Sequence, residues 1–110
     1  MAKTLKLTFD GTTYELEYTK ASVKQMESRG FSISELATKP MNLLPMLFAG
    51  AFIAHHPNMR MTEIDKIFEK VTNKEDCLEK LLEMYNEPID ALLDEPDEKD
   101  PGKAVWEANW

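Results

Sequence analysis

The sequence predicts an α+β domain, with an N-terminal β-hairpin packed on a bundle of about four to five helices and a flexible acidic C-terminal tail. Three observations predict it. Residues 3 to 18 alternate around Asp10-Gly11. Apolar residues then recur at helical spacing from Val23 to Leu92. Past Asp94 the chain turns acidic and proline-rich. The expected organisation is one domain over residues 1–93 and a tail over 94–110.

Asp10-Gly11 suits a type I′ turn, which needs φ > 0 at both central positions. Counting outward, Phe9 faces Thr12, Leu7 faces Tyr14 and Leu5 faces Leu16. The other face pairs Thr8 with Thr13, Lys6 with Glu15, and Thr4 with Glu17, so one side is apolar and the other polar. An isolated hairpin is marginal in water, so its apolar face must rest on helices.

Residues 20 to 29 read as a short helix, with Val23 and Met26 inward and Gly30 past its end. Ser32-Ile33-Ser34-Glu35 has the pattern of a capping box opening a further turn that Pro40 ends. The run Leu43 to Ala54 contains Pro45, tolerable in a first helical turn, and Pro57 is expected to end it. This helix is apolar nearly all round and so should be buried on most sides. Gly50, between Ala49 and Ala51, would let another backbone come close. Thr62 is the expected N-cap of a helix over Glu63 to Val71, with Ile64, Ile67, Phe68 and Val71 on one face. Asn73 is the expected cap of the last helix, Lys74 to Leu93, whose stripe is Leu78, Leu81, Leu82, Tyr85, Ile89 and Leu92. Pro88 is expected to kink or split it after Asn86.

Composition narrows function by exclusion. The 110 residues carry a formal charge of −7, and the sequence pI is about 4.8. A nucleic-acid binder or a protein docking on anionic lipid needs a basic face, so neither partner is expected. Asp94 to Trp110 holds six acidic and two basic residues, hence −4 of that charge. The longest apolar run is about 12 residues, against the roughly 20 that span a bilayer. Met1-Ala2-Lys3-Thr4 leads into the hairpin with no apolar signal core, and the single Cys77 cannot form an internal disulfide. A cytoplasmic protein is the expectation.

No catalytic, cofactor or metal site is expected. His55 and His56 are adjacent, so on a helix they point about 100° apart and cannot chelate as an i, i+4 pair would. With Pro57 they suit a helix C-terminus, where a histidine interacts well with the dipole. Cys77 reads as a small buried hydrophobe, and Glu63, Glu69, Glu79 and Glu83 as a solvated face. Asp94, Asp97 and Asp100 lack the spacing and closing glutamate of an EF-hand.

The features left point to binding. Met41, Met46, Met59 and Met61 flank the apolar helix, and methionine makes adaptable apolar surfaces. Both tryptophans, Trp106 and Trp110, lie in the tail and suggest docking on the body or on a partner. The candidate protein-binding residues are Met46, Phe48, Gly50, Phe52, Met59, Trp106 and Trp110.

Tyr14-Glu15-Leu16-Glu17-Tyr18, Val23-Lys24-Gln25-Met26-Glu27, Gly30-Phe31, Leu47-Phe48-Ala49-Gly50-Ala51-Phe52, His56 and Leu82-Glu83-Met84-Tyr85 together resemble a known family. It is the tail assembly chaperone family of long-tailed bacteriophages, in the form found in phages and prophages of Gram-positive bacteria. The likeness covers about residues 5 to 93 and is a pattern of apolar and glycine positions. It implies a non-enzymatic protein of the host cytoplasm that binds the apolar, helical tape measure protein. Such a protein keeps its partner soluble while the tail tube assembles and is absent from the finished virion. The tail tube protein is a further candidate partner. Self-association and a longer frameshifted form are also implied. The alternative from a different class is an acidic inhibitor or decoy acting on a host nucleic-acid-binding protein, motivated by the acidic tail.

Overall fold

The computed structural model describes residues 3–94, 99 and 101–110. It is the expected α+β arrangement, an N-terminal antiparallel hairpin followed by four α-helices. Met1 and, in the acidic tail, Glu95, Asp97, Glu98 and Asp100 lie outside the described residues.

Strands β1 (Leu5–Phe9) and β2 (Thr12–Leu16) pair in the register that the turn dictates, from Leu5 opposite Leu16 to Phe9 opposite Thr12. Asp10 and Gly11 have φ of 50° and 80°, the two positive values of a type I′ turn. On the polar face Thr8 and Thr13 join hydroxyls at 3.0 Å. The expected attraction of Lys6 to Glu15 does not close as an ion pair among the described residues. Glu15 turns to His55 at 3.7 Å instead.

Helix α1 (Lys20–Ser28) starts at a capping box between Thr19 and Ser22. It ends in a Schellman motif: Phe31 N–H bonds the Met26 carbonyl, Gly30 N–H bonds the Glu27 carbonyl, and Gly30 has φ of 98°. Phe31 is thereby folded into the core. The Ser32 capping box does not form. Ser32 caps nothing with its side chain, its hydroxyl meets that of Ser34, and only a 3-10 turn spans Ile33–Glu35.

Pro40 opens a helix rather than only closing the one before it. Helix α2 runs Pro40–Gly50, with Pro40 at the first position, where its missing N–H costs nothing. Pro45 therefore sits in the helix interior, not its first turn. The helix also stops at Gly50, well before Pro57, and tightens into turns over residues 51–55. All four terminal carbonyls are satisfied. Ala51, Phe52 and Ile53 N–H groups bond those of Phe48, Ala49 and Gly50, and the Tyr18 hydroxyl donates to Leu47.

Helix α3 (Met61–Lys70) begins after Arg60, so Thr62 lies inside it and not at its cap. Ile64 and Ile67 are buried, as its apolar face predicts. Helix α4 (Lys74–Ala91) follows Asn73, which turns the chain through a left-handed conformation (φ 53°) and makes no side-chain cap. Pro88 does not split α4. It is buried, and one helix continues past it. The stripe Leu81, Met84 and Tyr85 enters the core, while Ile89 and Leu92 at its far end are exposed.

The core is strongly aromatic. Tyr85 meets Tyr18 and Phe31 edge-on at 5.4 and 5.3 Å. Phe48 meets Phe52 at 5.2 Å and Phe68 at 4.9 Å. No helix among the described residues is long and apolar enough to cross a membrane. Residues 103–110 take no helix or strand, and Trp106 and Trp110 are 82% and 103% exposed.

Candidate protein-binding groove

The turn segment that follows α2 is pinned to the hairpin. Glu17 N–H bonds the Ala51 carbonyl at 3.0 Å, and Glu15 N–H donates to His56 Nε2 at 3.2 Å. The His56 ring stands edge-on to Tyr14 at 5.2 Å. His55 Nε2 lies 2.7 Å from Glu17 Oε1. The two histidines are therefore staples across the outer edge of β2, not partners of a helix dipole. Among the described residues, no group of three or more metal-ligating side chains comes together.

This pinning shapes a groove of about 310 Å³. Helix α1 supplies Gln25 and Met26 and its C-cap supplies Arg29; Gln25 and Arg29 stand one above the other at i and i+4, and Met26 lies beside them. The last turns of α2 supply Met46, Ala49 and Gly50. The turn segment adds Phe52, Ile53, His56, Pro57 and Met59, and α3 adds Met61 and Ile64. Four of the seven methionines thus meet at one surface. Met26 is buried, Met46 and Met59 are half-buried, and Met61 is exposed. Among the described residues, Arg29 is the only lining residue with a fixed charge.

The candidate residues separate. Met46, Gly50, Phe52 and Met59 come together in the groove. Phe48 does not: it is 1% exposed and packs on Phe68 at 4.9 Å, so it is core. Phe52 and Gly50 are also buried and can form only the floor. The close approach at Gly50 is by the Met26 side chain and not by a backbone. Met41 is exposed and lies outside the groove, and Trp106 and Trp110 do not reach it. Met26 and Arg29 from the α1 side and Met61 and Ile64 from α3 join them in the lining, though nothing in their spacing brings α1 and α3 together.

Cys77 is half-buried against the core, and burial pushes its thiol pKa up. That shift favours the neutral thiol and works against a nucleophilic role.

An α+β body with an apolar, methionine-lined groove is thus what this chain presents. Its whole length, residues 1–110, matches the family described as Domain of unknown function (DUF5055), and the protein belongs to that family. No curated protein and no solved structure matches it.

Proposed function

We propose that this protein is a phage tail assembly chaperone that binds the tape measure protein and keeps it soluble while the tail tube is built. The observation that carries the reading is the groove lined by Met26, Met46, Met59 and Met61. Methionine is unbranched and polarizable, so a surface built from it adjusts to differing apolar side chains. A long apolar helical partner presents many slightly different stripes, each with anchors at i, i+3, i+4 and i+7. A groove that re-packs can hold them in turn, where a rigid one would select a single stripe.

Charge supports the same role. The net −7 of the chain keeps a complex with an apolar partner in solution. Among the described residues that line the groove there is no carboxylate, so that charge does not oppose an apolar occupant. The family resemblance of residues 5 to 93 supplies the identity of the partner. On this reading the protein works in the host cytoplasm, self-associates, and is absent from the finished virion.

Co-expression with the tape measure protein tests it. The wild-type chain should raise the soluble fraction of that protein, and Met59→Lys with Met61→Lys should abolish the effect while leaving the fold intact. A tape measure protein that stays equally insoluble with the wild-type chain would overturn the proposal.

A further inference from the structure

The two edges of the hairpin are treated differently. In a hairpin closed by a two-residue turn, the pairs Phe9–Thr12, Leu7–Tyr14 and Leu5–Leu16 exchange both backbone bonds. The N–H and C=O groups of Lys6 and Thr8 therefore point away from β2, and those of Thr13 and Glu15 point away from β1. The C-terminal end of the β2 edge is covered, since Glu15 N–H is taken by His56 and Glu17 N–H, just past the strand, by Ala51. Among the described residues no further strand covers the β1 edge, because the sheet there consists of β1 and β2.

Beside that open edge runs a second groove, of about 420 Å³. One wall is β1 itself, and the other is the corner where α3 turns into α4. Ile67, Val71 and Cys77 give that corner an apolar floor. Among the described residues its charged groups are Lys6, Lys70, Lys80 and Asp76, a net +2 on a chain of net −7. An edge strand left open in this way is a template for another strand.

The chain carries a segment of matching chemistry. Trp106, Ala108 and Trp110 fall at i, i+2 and i+4, so in an extended chain they share one face and Glu107 takes the other. On β1, Leu5, Leu7 and Phe9 share one face and Lys6 and Thr8 the other. A strand added to β1 continues both faces of the sheet. It would set the tryptophans beside the leucines over the apolar floor, and Glu107 on the side of Lys6. The seven residues 104–110 would extend over roughly 23 Å, enough for the roughly 17 Å of a five-residue strand. The tail as a whole is −4, opposite in sign to the groove.

We infer that the β1 edge and its lysine-rimmed groove take the C-terminal segment Ala104–Trp110 of a second copy of this chain as a third strand. In the single chain this segment is exposed throughout, with Val105, Trp106 and Trp110 all facing water. Each copy has one groove and one tail, so exchange closes as a reciprocal dimer or runs on as an open chain. This assignment is independent of the methionine groove and of the tape measure protein.

Because both tryptophans are in the tail, their fluorescence reads its burial directly. The experiment follows the full chain alone over a concentration series, by tryptophan emission and sedimentation velocity together. The expected result is a blue shift of the emission that rises in step with mass. Lys6→Glu with Lys70→Glu, both exposed positions, should weaken the association at least tenfold with unchanged circular dichroism. Adding Glu107→Lys should restore part of it. Trp106→Ser with Trp110→Ser should remove the association. Emission that stays solvent-like at every concentration would overturn the inference. So would a blue shift at monomer mass, which places the tail on its own body, or association that survives the tryptophan changes.

Discussion

The thioether of Met26 fills the space where a β-carbon on residue 50 would stand: such a carbon would lie 2.3 Å from Met26 Sδ and 2.9 Å from its Cγ. Gly50 is thus the residue that lets α1 and the end of α2 close on each other and form one corner of the groove. By helix propensity alone Gly50→Ala should stabilise by about 1 kcal/mol. The overlap with buried Met26 is expected to reverse that sign, since overpacking a core costs about 1–3 kcal/mol. Urea unfolding should therefore show Gly50→Ala less stable than wild type and Gly50→Leu less stable again. In a Met26→Ala background the penalty of Gly50→Ala should vanish. Additive effects in that double-mutant cycle would mean that the contact is not the cause.

What was legible in the sequence follows from how local each signal is. Asp10-Gly11 sets the hairpin register because turn chemistry and period-two alternation act over a few residues. Gly30 marks the end of α1 for the same reason, through the backbone bonds of one Schellman motif. The prolines mislead because their placement is decided by tertiary packing. Pro88 removes one backbone bond, but its ring is buried, and α4 runs through it. Pro40 marks a boundary that two elements share, so it opens α2 as well as closing the turn before it. The groove was only half legible. Met46 and Met59 stand near the apolar helix in sequence, whereas Met26 comes from α1, and only the closure over Gly50 brings it there.

Among the described residues, the Tyr18 hydroxyl is the side-chain group that closes the end of α2, where it donates to the Leu47 carbonyl. Tyr18→Phe leaves that buried acceptor without a partner and should cost about 1–3 kcal/mol. Burial, with Tyr85 and then Cys77 adding to it, holds the Tyr18 pKa well above the ordinary 10.0. The folded state therefore keeps a proton that the unfolded chain releases as pH rises past about 10, and stability falls from there upward. Urea midpoints measured from neutral to strongly alkaline pH should show this fall, and Tyr18→Phe should flatten it. Tyr85, raised by burial and then by Glu27, will leave part of the slope in place.

His55 and His56 are adjacent yet should behave differently. His56 Nε2 is the acceptor for a backbone N–H of β2, so His56→Phe strands the Glu15 amide and should cost about 1–2 kcal/mol. His55 makes a partly exposed contact with Glu17, and His55→Ala should cost well under about 1 kcal/mol. Amide exchange at Glu15 gives the direct check. It should accelerate strongly in His56→Phe and hardly at all in His55→Ala. Equal protection of Glu15 in all three proteins would show that the β2 edge is held by something other than His56.

The methionine groove is tested most directly by methyl NMR of the full chain carrying labelled methionine methyls, titrated with a helical segment of a tape measure protein. Met26, Met46, Met59 and Met61 line the groove, while Met41 is 88% exposed outside it and serves as an internal control. The predicted result is that the four groove methyls shift and saturate together while Met41 stays in place. Binding of the segment with the four groove methyls unmoved would contradict the assignment of this surface.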